Sequence, residues 1–145
     1  GGRRVSDIEL SESLEDYLIA IADLAREGDG VHSGRVASRV NVSTASVTHA
    51  FRALRSRGLI EYERYQAVRL TPHGEDVARQ VMHRKQALLR FFREVLELDP
   101  EEAERNAHRM EHVITPRAVE RLSRLVDRLE GEDASSRGRP DRMRR

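Results

Sequence analysis

The sequence predicts a mainly helical protein with one small antiparallel hairpin, and three observations carry that expectation. Apolar residues recur at three- and four-residue spacing in several stretches, most of them opened by a Ser, Thr or Asp cap. Only two β-prone runs occur, residues 59–65 and 68–71, and they lie close enough to pair. Basic charge is concentrated in the middle: residues 31–70 carry seven arginines against Glu61 and Glu63, whereas residues 1–30 sum to −5.

The first helix is expected from about Ser11 to Glu27, with Leu14, Tyr17, Leu18, Ile21 and Leu24 as its apolar stripe. Ser11 or Ser13 suits its cap, and Glu12, Glu15 and Asp16 suit the positive end of the helix dipole. Gly28-Asp29-Gly30 ends it. A short helix from about Ser33 to Arg39 turns Val36 and Val40 inward. A third, from about Thr44 to Arg57, is capped by Ser43, buries Val47, Phe51 and Leu54, and stops at Gly58. The hairpin follows, with a glycine-free turn near Gln66-Ala67. Thr71-Pro72 opens a long helix to about Leu96, Asp99-Pro100 one to about Val113, and Thr115-Pro116 a last one bearing Val119, Leu122, Leu125, Val126 and Leu129. The Ser-, Gly-, Pro- and Arg-rich residues 131–145 read as a flexible basic tail and residues 1–10 as a flexible N-terminus, flanking an N-terminal domain at 11–72 and a helical domain at 73–130.

Composition narrows the function classes. At 145 residues, 38% hydrophobic and 35% charged, the chain supports one modest core that dimerisation would reinforce. No apolar run spans a membrane and no signal-like stretch opens the chain, so a soluble protein without membrane partners is expected. The lack of cysteine excludes disulfides and thiolate metal sites and is compatible with a cytoplasmic location. Of 26 basic residues all but Lys85 are arginine, which reflects a GC-rich coding bias more simply than it reflects arginine chemistry.

Two short helices, the second ending in basic residues, followed by a hairpin, form the layout of a winged helix-turn-helix. An exposed helix fits the major groove of double-stranded DNA, its polar side chains read base edges, and arginines bind phosphates. Thr44, Ser46, Thr48, His49 and Arg52 lie off the buried stripe and are the candidate reading face, while Arg64 and Arg69 in the hairpin are candidate phosphate contacts. An ordinary amphipathic helix with a solvated arginine face is the competing reading of the same residues.

The most chemically loaded string is His108-Arg109-Met110-Glu111-His112. Helical spacing would put His108, Glu111 and His112 on one face, where two imidazoles and a carboxylate suit a divalent transition metal. Asp16, on the acidic first helix, is a candidate fourth ligand. A polar helix face explains the string equally well. His-x-x-Glu-His is also a zinc metallopeptidase string, but that chemistry needs a substrate cleft and leaves the winged helix unexplained. A winged-helix regulator that senses something other than metal is the remaining alternative. Neither catalysis nor a small-molecule substrate is expected.

Segment by segment, residues 11–130 resemble the diphtheria-toxin-repressor family, in particular its short manganese-transport-regulator branch. The resemblance is carried by Leu14-Glu15-Asp16-Tyr17-Leu18, Ala45-Ser46-Val47-Thr48, Gly58-Leu59-Ile60-Glu61-Tyr62-Glu63-Arg64-Tyr65, Val68-Arg69-Leu70-Thr71-Pro72-His73-Gly74, Leu96-Glu97-Leu98-Asp99 and Met110-Glu111-His112-Val113-Ile114-Thr115. It implies a homodimeric, metal-activated repressor of metal-uptake genes that binds palindromic operators, and it maps metal ligands onto Asp16, Glu111 and His112, with His108 where the family commonly has cysteine or glutamate. An SH3-like carboxy-terminal domain is expected to be absent. The family's long-helix histidine falls at Gln86, whose amide oxygen is a candidate ligand, with His83 as a rotated substitute. A glutamate of the manganese branch falls at Ile19, and two second-site positions fall at Arg90 and Glu104. These departures imply one metal per protomer, Mn²⁺ or Fe²⁺, with Zn²⁺ or Co²⁺ also accepted by the donors. His32 and His73 receive no metal role.

Overall fold

A computed structural model describes residues 10–137, arranged as two compact units that divide between Met82 and His83. In the first unit, α1 (Glu12–Arg26) starts where the Ser11 hydroxyl accepts from the Leu14 amide at 3.3 Å. Its stripe buries Tyr17, Leu18, Ile21 and Leu24, while Asp16 faces solvent. Next, α2 (Ser33–Val40) ends on Asn41 in the left-handed conformation, and α3 (Thr44–Ser56) is capped by Ser43, whose hydroxyl accepts from the Ser46 amide at 3.2 Å. Val47, Phe51 and Leu54 of α3 are fully buried, and Tyr62 packs edge-on against Phe51 at 5.2 Å between ring centroids.

The hairpin is much shorter than the β-prone runs suggest: β1 is Ile60–Glu61 and β2 is Arg69–Leu70, in antiparallel register Ile60 to Leu70 and Glu61 to Arg69. Pairing survives where the strands feed the core. Ile60 and Val68 are buried, and Val68 donates to the Val31 carbonyl at 2.7 Å, giving the wing a third support. Residues 63–66 are exposed, and the Gln66 amide turns back to the Glu63 carbonyl at 3.0 Å. Tyr65 takes the left-handed conformation (φ 68°) that a glycine would usually fill.

Helix α4 (Pro72–Arg90) opens where the Thr71 hydroxyl accepts from Gly74 at 3.0 Å and donates to the Gly58 carbonyl at 2.6 Å. A Cβ on Gly74 would lie 1.9 Å from the Leu59 carbonyl oxygen, so only glycine lets the helix start against that strand. Val77, Ala78 and Val81 complete the first core.

In the second unit α4 passes into a π-helical turn, Phe91–Val95, marked by the bond from Leu96 N to the Phe91 carbonyl at 3.1 Å. Helix α5 (Pro100–Met110) is capped by Asp99, which accepts from the Glu102 amide at 3.0 Å. Its Ala103 and Ala107 are fully buried against Leu88 and Phe92, and α6 (Pro116–Arg137) lays Leu122 alongside. Of the apolar positions on this long helix that could meet a partner copy, Leu88 and Phe92 are therefore consumed by the protomer's own core, while Leu89 and Val95 stay half-buried.

Helix α5 also stops three residues earlier than its periodicity suggests. Proline disfavours helical backbone at the residue before it, so the chain unwinds ahead of Thr115-Pro116, with Val113 N and Ile114 N both turning back to the Met110 carbonyl at 3.0 and 2.9 Å. Conversely, α6 runs through Gly131 to Arg137 where composition suggests a tail. A helical glycine costs only about 1 kcal/mol relative to alanine, and Arg90 anchors the preceding turn through Asp127 (3.0 Å) and Glu130 (2.6 Å). Glu94 joins this cluster: its hydrogen bond with Glu130 raises its own carboxyl above the ordinary value, and the same bond, with Arg90, holds Glu130 below it. Residues 1–9 and 138–145, and with them most of the N-terminal segment and the basic tail, lie outside the described residues.

Candidate metal centre and nucleic-acid interface

The candidate metal centre forms where α5 unwinds. His108 sits in the last turn, Glu111 is the C-terminal cap, and His112 follows in the turn beyond. The expectation of three donors on one continuous helix face is thus corrected, since only His108 is helical. The three still converge. One Glu111 carboxylate oxygen, Oε1, lies 3.4 Å from His108 Nδ1 and 3.3 Å from His112 Nε2. The two rings stand nearly perpendicular, 5.3 Å apart.

These donors fit a divalent cation on three counts. Ligands around one ion at bond lengths of about 2.0–2.2 Å are separated by about 3.0–3.6 Å, and the observed spacings fall in that range. Glu111 is only 5% exposed, one of two buried charged side chains among the described residues, and a buried carboxylate calls for a positive partner. The carbonyl end of a helix carries negative partial charge, which favours a cation there. Two nitrogens and a carboxylate suit Mn²⁺, Fe²⁺, Co²⁺ and Zn²⁺ alike. Asp16 lies in the first unit, exposed on α1, and Gln86 is exposed on the second-unit part of α4. The two departures at Arg90 and Glu104 are each engaged in ion pairs: Arg90 as described, and Glu104 with Lys85 Nζ at 2.8 Å.

The candidate nucleic-acid interface lies on the first unit. Thr44, Ser46, His49 and Arg52 are exposed on α3. Thr48 is half-buried and returns its hydroxyl to the Thr44 carbonyl at 3.0 Å, so its donor is already engaged. A groove of about 730 Å³ separates α3 from the wing, with Thr48, Arg52, Arg55, Arg64 and Tyr65 among its walls. Arg69 lines a different hollow, of about 560 Å³, with Arg55, Ile60 and Glu61, so the two hairpin arginines do not share one wall.

The seven arginines of residues 31–70 do not act alike. Arg35 and Arg39 share the single carboxylate of Glu27, at 2.8 and 2.7 Å, which offsets one of their two charges. Arg55, not among the residues the sequence singles out, donates from its guanidinium to the Tyr62 carbonyl at 3.1 Å and braces the wing on α3. Spacing alone carries no signal for that contact, since it depends on where the hairpin folds back.

Comparison with known proteins matches both parts of the chain. Residues 9–68 match the N-terminal DNA-binding domain of iron-dependent repressors, and residues 71–136 match their metal-binding and dimerisation domain. The chain is 33% identical over 120 residues to the transcriptional regulator MntR of Escherichia coli, covering 83% of this chain and 77% of that one. It is 27% identical over 122 residues to MntR of Bacillus subtilis, covering 84% and 85%. Among solved structures, a manganese-dependent transcriptional repressor in complex with manganese matches with a TM-score of 0.68 and 28% identity over 79% of this chain and 52% of that chain. The manganese regulator SloR shares the fold, with a TM-score of 0.69 at 23% identity, over 79% and 53%. The chain spans about half the length of these two solved proteins. Matched along both of its parts, and by full-length relatives above 30% identity, the chain belongs to the iron-dependent repressor family.

Proposed function

We propose that the chain is a divalent-metal-dependent transcriptional repressor that acts as a cytoplasmic homodimer on palindromic double-stranded DNA, without catalysis. The observation that carries this reading is the convergence of two imidazole nitrogens on one buried carboxylate oxygen at the end of α5, in a chain whose other unit presents an arginine-walled groove beside α3. Its similarity to a solved manganese-dependent repressor supports Mn²⁺ as the signal, with Fe²⁺ next and Zn²⁺ or Co²⁺ as competitors.

His108, Glu111 and His112 would hold one metal per protomer, with Asp16 and Gln86 as the further ligands inferred from the family resemblance. The bound ion supplies the positive charge that clustered carboxylates lack. Ligation by Asp16 would make the DNA-binding unit's geometry depend on occupancy, which is how a ligand shifts a population toward one state. At the DNA, Thr44, Ser46, His49 and Arg52 face the bases, Thr48 supports α3, and Arg64 and Arg69 contact phosphates on opposite walls of the wing.

The test pairs calorimetric titration of the metal-free protein with Mn²⁺, Fe²⁺ and Zn²⁺ with DNA retention at saturating metal. His112→Ala is expected to cost both metal affinity and metal-activated DNA binding. Asp16→Ala is expected to cost DNA activation more than metal affinity, because the other strong donors lie together at the end of α5. Full metal-activated DNA binding by Asp16→Ala would remove α1 from the switch, and the absence of any metal binding would remove the metal reading.

A further inference from the structure

The wing tip holds an arrangement that neither folding nor the metal site explains. Tyr65 is 88% exposed, the most exposed large apolar side chain among the described residues. It sits at φ 68°, a conformation that a bulky residue adopts at a cost and that glycine or asparagine would take more cheaply. The Arg64 guanidinium lies over its ring, 5.1 Å from the centroid. Both side chains wall the groove that faces Arg52 on α3, and Arg55 fixes the base of the wing through the Tyr62 carbonyl. A left-handed backbone that displays an aromatic ring to water adds nothing to the core, and what the ring holds in place is the Arg64 guanidinium, so its benefit lies in what the pair meets.

We infer that Arg64 and Tyr65 form a preformed clamp on the DNA sugar–phosphate backbone, in which Tyr65 is a positioning residue that also packs on the deoxyribose. This rests on the DNA-binding reading above and deepens it. Stacking on Tyr65 limits the rotamers of Arg64 before DNA arrives, so less side-chain entropy is lost when its N–H edge meets a phosphate. The opposite ring face is left for the apolar side of the adjacent sugar. The occupant is a duplex backbone because the groove's walls supply Arg52, Arg55 and Arg64 around one channel, and phosphodiester charge complements them. Such contacts position the protein without reading sequence.

The experiment measures duplex affinity, its salt dependence and thermal stability for the Mn²⁺-loaded full chain and for Tyr65→Gly, Tyr65→Asn, Tyr65→Phe and Arg52→Ala. Two duplexes serve as probes, one selected by the wild type from random sequence and one of mixed sequence. Tyr65→Gly and Tyr65→Asn are expected to melt at or above the wild-type temperature, since both accept the left-handed backbone. Each should nonetheless bind both duplexes about tenfold more weakly, the scale of losing an aromatic anchor. Tyr65→Phe should bind within about twofold of wild type, because the ring and its stacking remain. Wild-type affinity in Tyr65→Gly and Tyr65→Asn, with Arg52→Ala impaired, overturns the clamp and leaves the DNA-binding reading standing. A loss confined to the selected duplex also overturns it, since that would mean base reading. A wild type that retains neither duplex overturns both.

Discussion

The two units of this protein bury apolar surface in different ways. The first has a continuous core running from Tyr17 of α1 through Phe51 of α3 to Val81 of α4, with its largest members fully excluded from water. The second has a smaller cluster of Leu88, Phe92, Ala103 and Ala107, ringed by the partly buried Leu89, Phe91, Leu98, Ile114 and Leu122, with Ala87, Val119 and Val126 also buried. Burying a large aliphatic or aromatic side chain contributes about 1.5–3 kcal/mol, so the first unit has ample means to hold its shape alone. The second packs its helices through buried alanines and leaves Leu89, Phe91, Leu98, Ile114 and Leu122 half in water, as suits a surface completed by another copy. The first unit's stability is therefore expected to be independent of concentration, and the second unit's half-buried face to be completed by a second copy.

The sharpest way to break the first unit is at its tightest contact. Gly74→Ala drives a methyl into the Leu59 carbonyl, a backbone atom that cannot swing aside. The expected loss is about 3 kcal/mol or more, at the top of the range for overpacking, read as a lowered denaturant midpoint. A variant as stable as wild type would show that α4 starts elsewhere. The second unit is probed through its half-buried face: Leu89→Glu is expected to shift the chain toward monomer in sedimentation and to cost about 1–2 kcal/mol. In the wild type, hydrogen exchange in residues 83–137 should quicken on dilution while that in 10–82 stays constant. Equal protection at all concentrations would erase the contrast between the units.

The smallest effect concerns pH. Glu94 has its carboxyl raised by the hydrogen bond with Glu130, so its stabilising contribution is present below the ordinary carboxylate value and lost as pH rises through the raised one. Glu130 is lowered by the same bond and by Arg90, so its contribution is present above the ordinary value and lost as pH falls through the lowered one. The pair is therefore most favourable between those two values, with one proton shared. In Glu94→Gln a permanent N–H donor replaces that proton, and the loss on the alkaline side should vanish. At this exposure the difference is small and is read in melts run from the carboxylate range to neutrality; an unchanged alkaline-side slope would show that the two carboxyls titrate separately.

Much of the fold was legible because its signals are local. Ser11, Ser43 and Asp99 cap the helices they were expected to cap, and Gly58 ends α3 in a left-handed conformation. What escaped the sequence depends on long-range contact. The hairpin keeps only the residues that Val31 and the core can support, and Leu88 is claimed by Ala103 and Ala107 rather than by a partner. At the metal centre, the donor types and their closeness followed from spacing, but the unwinding that puts Glu111 and His112 past the end of α5 is set by Pro116 and the Met110 carbonyl. On the wing, the turn without glycine was visible as an oddity, and its meaning required seeing Tyr65 bare and left-handed.

The π-helical turn at Phe91–Val95 has a consequence for the lineage rather than for the single molecule. It lodges one more residue in the last turn than the helix before it needs and closes that helix, since Glu97 takes the left-handed conformation (φ 55°) and Leu98 N reaches back to the Phe92 carbonyl at 3.0 Å. Deleting one residue from these five would tighten the turn to an ordinary one while leaving Leu88 and Gln86 upstream in place. The same deletion a few residues earlier would rotate everything after it by roughly 100°. Relatives that differ in length within this helix should therefore place their gap at Phe91–Val95, and an alignment that opens it elsewhere assigns the wrong residues to the sites on either side.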